Sequence, residues 1–359
     1  MIGGDGMLKV YIDVNALSSI CLEEMDKPIE EQNKWFRILS DQETIYYISP
    51  DGSDINFDKN EPLMLFSQAT HIAYENATAY IQDVLTDNSK VLEQSCAAFL
   101  LDIDAGVAEK IQKDYGVIFQ SVDSLDTKEL EIREDYSLDK KEEGCNWRDI
   151  LEPIKNTPSN SLLIIDRYLF ADDTLSRHSG IDNIQSILHS ILPSTFRGVY
   201  QIIIIFDTKT LHKECSYEDI AKKISKLKKA FKKPYSINMS IMGLTEGADY
   251  IKDDTHNRRI VSNYYWLYAD HKLCAFINNF STASQYITVN SLYSSLLKKG
   301  GRSSASNKEH TKLIKKFTKM LKYLREQIDN ENTRATYKLT INGNHELSVN
   351  ELECRLFNL

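Results

Sequence analysis

No stretch of this 359-residue chain is apolar for long enough to cross a bilayer. The longest apolar runs, residues 162–165 and 202–206, are a handful of residues each, where a spanning helix needs about 20. No charged segment followed by an apolar one opens the sequence, so secretion is not expected and a cytoplasmic protein is. The six cysteines (21, 96, 145, 215, 274 and 354) include no C-x-x-C pair. That spacing argues against a disulfide or zinc framework and for reduced, packed thiols. Internal repeats and low-complexity tracts are lacking as well.

The chain does have the composition of a folded protein, 42% hydrophobic and 26% charged, and length for two cored domains. Its net charge of −9 conceals an asymmetry. Residues 1–150 carry 31 acidic and 13 basic side chains, whereas residues 151–359 carry 21 acidic and 30 basic. A polyanion would be repelled by the first half and drawn to the second, and the halves could also attract each other or a second copy.

Periodicity predicts strands at 8–13, 43–49 and 117–119 in the first half, with helices at 28–39 and 105–115. Helical spacing also runs through 62–101, broken near 87–89. Residues 123–149 are acidic and poor in large apolar groups, as in a linker or mobile flap. In the second half, apolar strands at 162–166, 201–207 and 237–242 alternate with helices at 183–192 and 217–233. Ser216 and Asp219 form a capping box for the second of these helices. Residues 251–263 and 274–277 read as arms of a hairpin, 300–306 as a flexible joint, 308–329 as a basic amphipathic helix, and 337–349 as a hairpin turning at Asn342-Gly343. Buried strands alternating with helices make the chain α/β, with a mixed sheet flanked by helices and a separate acidic N-terminal α/β domain. The expected division is 1–122 as an acidic recognition or regulatory domain, 123–158 as linker, 159–300 as the main α/β domain, and 301–359 as basic helix and hairpin. Ligands of such sheets gather at the carboxyl ends of strands, where Asp166 and Asp207 fall.

The chemistry-bearing motif is Asp254-Thr-His-Asn-Arg-Arg-Ile-Val-Ser-Asn263. His256 and Arg258, two apart on a strand, share a face. An imidazole that can attack phosphorus beside a guanidinium that can hold its oxygens suits a phosphate group. The spacing His256-x-Arg258-x4-Asn263, with Asp166-Arg-Tyr-Leu-Phe after an apolar strand, resembles the phospholipase D superfamily. It is most similar to the phospholipase-D-like domain at the C-terminus of MIT (microtubule-interacting and trafficking) proteins, over about residues 160–290. Arg258 stands where the motif has Lys, and Asn263 where it has Asp. The resemblance implies His256 as a nucleophile forming a phosphohistidine without metal or other cofactor, Arg258 holding the phosphate, and Asn263 and Asp166 orienting the site. Active members bring two motifs together, and this chain has one, so activity implies a homodimer with a second His256 as general acid.

Two lysine-rich runs flank the motif: nine lysines over 209–233, and ten basic residues over 298–325 against one acid, Glu309. Lys222, Lys226, Lys229 and Lys233, with Lys312, Lys315, Lys316 and Lys319, are candidate nucleic-acid contacts, and Tyr217, Phe231, Phe317 and Tyr323 are interleaved. Anionic membrane would satisfy the same electrostatics, though neither helix has an insertion face. In the first half, Val10-Tyr-Ile-Asp13 resembles the opening strand of PIN-type ribonucleases, with Glu61, Asp102 and Asp104 as further carboxylates for a divalent cation. The leading expectation is a metal-independent, homodimeric phospholipase-D-like nuclease, a defence or toxin-type effector with a possible partner protein. The alternative is a non-catalytic module binding nucleic acid, anionic lipid or a partner.

Overall fold

The computed structural model describes residues 8–50, 52–94, 96–245, 258–294, 315, 319, 337–345 and 351–357. The chain divides into two units, Met1–Glu131 with Ser291–Lys312, and Ile132–Asn290 with Leu313–Leu359. Both are mixed α/β, with sheets flanked by helices.

The first unit is built on five parallel strands, β1 (Lys9–Asp13), β2 (Thr44–Ile48), β3 (Ala73–Asn76), β4 (Ala97–Leu101) and β5 (Ile118–Ser121), in the order β3-β2-β1-β4-β5. Helices α1 (Val14–Glu24), α2 (Lys34–Leu39), α3 (Glu61–Thr70), α4 (Thr78–Thr86) and α5 (Ala105–Tyr115) connect and cover them. Register puts Tyr11 opposite both Tyr46 and Phe99, and Phe99 opposite Phe119, so one aromatic from each of four strands lies on the same face. Their ring centroids are 4.9, 4.9 and 5.2 Å apart and the planes nearly parallel, an offset stack running across the sheet. Ile81 and Val84 of α4 and Ile111 of α5 cover it. Burial pushes the Tyr11 hydroxyl up in pKa, with the Tyr80 and Tyr46 phenols adding to it.

Several expected elements are placed differently. Residues 62–101 form two α-helices, a short 3-10 helix (Asn88–Glu93) and two strands, because β3 is only four residues and β4, Ala-Ala-Phe-Leu-Leu, is a wholly buried run whose periodicity cannot tell helix from strand. The helix expected over 28–39 starts at Lys34, after Asn33 caps the amide of Trp35. The acidic stretch 123–158 is not a linker. Its first part is stitched to the first unit: the Gln120 amide brackets Asp126 with two 3.0 Å bonds, and Trp35 Nε1 donates to the Asp126 carbonyl. Its later part supplies β6 (Arg133–Leu138) and α6 (Trp147–Leu151) to the second unit. An edge strand needs few apolar side chains, and the charges of β6 are those that discourage further strand pairing.

The second unit holds a nine-stranded sheet. Its parallel centre is β7 (Ser161–Ile165), β8 (Val199–Asp207) and β9 (Ser236–Leu244), joined through α7 (Ser179–Ile191) and α8 (Tyr217–Ala230), which pack against each other. Antiparallel strands extend it on both sides. β10 (Arg258–Ser262), β11 (Tyr265–Ala269), β14 (Gln285–Ser291) and β6 follow β7, while β15 (Tyr337–Ile341) and β16 (Asn344–His345) follow β9. The hairpin expected at the C-terminal end is therefore present, and it belongs to this sheet. The partner of β10 is β11, not 274–277; β12 (Phe276–Ile277) pairs instead with β13 (Phe280–Ser281). The expected joint at 300–306 lies outside the described residues, as does the helix at 308–329 apart from Lys315 and Lys319, which are helical and exposed.

Removing the middle of the aromatic stack, by Phe99→Ala, is expected to cost about 3–5 kcal/mol of unfolding free energy. Urea denaturation monitored by far-UV circular dichroism measures it.

Candidate functional site

β10 runs antiparallel to β7 with Arg259 opposite Ile165 and Ser262 opposite Leu162. Its first residue, Arg258, therefore arrives at the carboxyl end of β7 beside Asp166, and its far end arrives at the amino end. Asn263 is at that amino end, fully buried, its Oδ1 accepting from the backbone amides of Asn160 (3.0 Å) and Ser161 (3.1 Å). Five residues of strand separate it from Arg258, roughly 17 Å at 3.4 Å per residue. The expectation that Asn263 orients the same site as Arg258 is thus corrected: its side chain anchors the start of β7. Arg355 closes this amino edge further, with Nη1 donating to the carbonyls of Val199 (2.8 Å) and Asn160 (3.3 Å). His256 lies outside the described residues.

The carboxyl edge is differently made. Asp166 is fully buried, its two oxygens accepting from the amides of Tyr168 and Leu273, each at 2.8 Å. Burial pushes its carboxyl up to about 6, opposed by those two amides and by the charges of Arg258 and Lys272. Arg258 Nη1 donates to the Asp270 carbonyl at 2.8 Å, while its Nε is buried without a hydrogen-bond partner. Arg167 follows Asp166 and sets its Nε 3.2 Å from Asp207 Oδ2 at the end of β8, its guanidinium over the Tyr168 ring. Lys272 reaches Asp172 at 3.1 Å. Two carboxylates are thus sealed in the sheet end while three cations stand above them, partly exposed. Arg167 and Lys272 were not singled out from sequence, although Arg167 sits inside the Asp-Arg-Tyr segment.

The turn leaving this edge is pinned by Asp173, fully buried, whose Oδ1 accepts from the Gly180 amide at 2.5 Å. His178 makes no side-chain capping bond, so Asp173 serves as the anion at the N-terminus of α7. Its Oδ2 has no hydrogen-bond partner, and burial pushes this carboxyl up to about 6 as well. Gly180 permits the approach: a Cβ there would lie 2.3 Å from the Leu169 carbonyl oxygen.

The α8 lysines divide by helical angle. Lys222, Lys226 and Lys229, at i, i+4 and i+7, are exposed on one stripe and make no ion pair among the described residues. Lys223, on another face, donates to the Thr174 carbonyl. Lys233 is corrected from nucleic-acid contact to helix cap: its Nζ donates to the carbonyls of Leu192 and Pro193 at 3.0 Å each, beyond the C-terminal end of α7. Tyr217 and Phe231 are core residues; the Tyr217 hydroxyl bonds the Ile241 carbonyl and Thr340, and the Phe231 ring meets His189. Lys315 and Lys319 are exposed one turn apart, whereas Lys312, Lys316, Phe317 and Tyr323 lie outside the described residues.

In the first unit, Asp13 caps α1 through the amides of Asn15 and Ala16, and Asp104 caps α5 through that of Val107. Two of the carboxylates read as metal ligands are thus occupied as N-caps. Glu61 opens α3, and Asp102 follows β4. Among the described residues no group of three or more His, Cys, Asp and Glu is placed to hold a metal ion. Among them, too, no helix is long and apolar enough to cross a membrane. No protein-family model matches the chain, and none of the curated proteins matches it.

The raised carboxyls fix a pH dependence. Between the ordinary carboxylate pKa near 3.8 and 6, the folded state holds Asp173 protonated while the unfolded state has released the proton. Raising pH through that window therefore lowers stability, and the loss is complete above about pH 7. The unfolding free energy of the wild type relative to Asp173→Asn is expected to fall by about 2–3 kcal/mol from pH 4 to pH 7, measured by urea denaturation at each pH.

Proposed function

We propose that the second unit is a phospholipase-D-like domain directed at nucleic-acid phosphodiesters, and that the chain is a metal-independent nuclease acting as a homodimer. The observation that carries this reading is the register of β10 on β7, which brings Arg258 of the His256-x-Arg258 motif to the carboxyl edge beside Asp166. That edge is where ligands of open α/β sheets bind. Arg258, partly exposed at that edge, holds the phosphate, and guanidinium suits a tetrahedral anion better than ammonium does. His256 attacks phosphorus, the leaving-group oxygen takes a proton from the second subunit's His256, and water then releases the phosphohistidine. Asp166 acts through position: its bonds to the amides of Tyr168 and Leu273 fix the loops on either side of Arg258. The Lys222–Lys226–Lys229 stripe adds backbone contacts without sequence preference.

A second reading, binding without turnover, draws on Asn263. Committed to the amides of residues 160 and 161, it brings no charge to raise the basicity of an imidazole at the other edge.

Incubation with labelled DNA and RNA in EDTA separates the two. Cleavage that survives EDTA and disappears in His256→Ala supports the nuclease; binding with no cleavage in either protein leaves the second reading. Flotation with anionic liposomes checks for lipid as the anion source. Reversal of Lys222, Lys226 and Lys229 to Glu is expected to weaken single-strand binding and to reduce the slope of log affinity against log salt by about 2, from about 0.7 per phosphate contact. Lys233→Glu is expected to leave that slope unchanged and to lower the melting temperature.

A further inference from the structure

A groove of about 1010 Å³ lies in the second unit, away from the α8 stripe, between α6, α7 and the β12–β13 turn. One wall is the outer face of α7, where His178, Asp182, Ser186 and His189 recur at helical spacing. The opposite wall carries Arg148, Glu152 and Lys155, at i, i+4 and i+7. Asn278 and Asn279, both at positive φ, close the end in a two-residue turn that leaves Ile277 exposed at the lip. The floor is made rigid by Asn183, which accepts from Trp147 Nε1 and the Phe276 amide and donates to the carbonyls of Ser179 and Phe276.

Four features narrow the occupant. The groove follows a 13-residue helix, about 20 Å, the span of roughly six extended residues, and it is open, so it suits a chain segment more than an enclosed small molecule. Its large aromatic rings, Trp147 and Phe276, are buried in the floor and present no face on which a base could stack, and the exposed rings of its wall are the small imidazoles of His178 and His189. Its charge leans positive: Glu152 is paired with Lys155 at 3.3 Å, which leaves Arg148 and Arg177 against Asp182. Amide and hydroxyl groups of Gln185, Ser186 and Asn278 supply donors and acceptors of the kind a peptide backbone pairs with. An exposed apolar lip beside a polar trough is the composition of a protein-docking surface.

We propose that this groove binds an extended acidic peptide segment of a partner protein, with an apolar residue of that segment on Ile277. The inference stands apart from the reading of the carboxyl edge and holds whether or not the chain cleaves nucleic acid.

The test uses the full chain and fluorescence anisotropy of a labelled peptide of alternating Glu and Ser with a central Leu. The same peptide with Lys for Glu, and a labelled oligothymidylate, serve as comparisons. The acidic peptide is expected to bind and its Lys counterpart not. Arg148→Glu with Arg177→Glu is expected to weaken binding by about tenfold or more, the equivalent of about 1.4 kcal/mol. Ser186→Trp, which fills the trough from an exposed position, is expected to abolish it, and reversal of the α8 stripe to leave it unchanged. Equal affinity for the acidic and Lys peptides, retention of affinity in both groove variants, loss on reversal of the α8 stripe, or displacement of the peptide by the oligothymidylate would each overturn the proposal.

Discussion

The pairing of β10 with β7 is the constraint on which the arrangement of the second unit's two sheet edges rests. An extended strand has two ends and little freedom between them, so whatever is placed at residue 258 is separated by the length of the strand from whatever is placed at 263. A motif that is contiguous in sequence is thereby divided. Arg258 goes to an edge carrying buried carboxylates and partly exposed cations, and Asn263 to an edge closed by saturated hydrogen bonds. Slipping the register by one residue would turn Arg258 to the other face and withdraw Asn263 from the two amides it satisfies. The buried Asn thus specifies the register at the amino end, while the buried Asp ties the turn after β7 to the loop at Leu273 at the other.

The two edges also differ energetically. At the amino edge Asn263 is neutral and hydrogen-bonded and the Arg355 guanidinium is held by backbone carbonyls, so burial there costs little beyond the bonds it makes. At the carboxyl edge Asp166, Asp173 and Asp207 are all fully buried, and burial, opposed by backbone amides and nearby cations, leaves the first two carboxyls at about 6. Backbone amides offset part of that cost for Asp166 and Asp173, and the Arg167 guanidinium faces Asp207. Stability is thus given up at the carboxyl end of the sheet. A fold under no other demand would fill these positions with neutral or apolar groups.

How much of this was legible from sequence depends on the length scale of the signal. The parallel centre of the second unit was legible because its strands are uniformly apolar and its helices amphipathic, and the capping box at Ser216 and Asp219 forms as expected. β4 was not, since Ala97–Leu101 is apolar on both faces and carries no period. β6 was hidden by its charge, which reads as linker until its pairing with β14 is known. The carboxyl-edge position of Asp166 was legible as a strand end followed by Asp-Arg-Tyr. The fate of Asn263 was not, because spacing along a chain does not say which residues meet across it.

The lysines of α8 show the same limit and a way past it. Counted as a run, they suggest one basic surface. Resolved at 100° per residue, Lys222, Lys226 and Lys229 fall on one stripe and Lys223 on a different face, where carbonyl acceptors wait. Lys233 follows the helix end and turns to the carbonyls of Leu192 and Pro193 just past α7, where a cation is favoured by the dipole. An ammonium that spends its protons on carbonyls cannot release a counterion from a phosphate backbone. Charge density along a sequence therefore overstates the charge available for binding, and the helical period, which is itself a property of the sequence, supplies much of the correction.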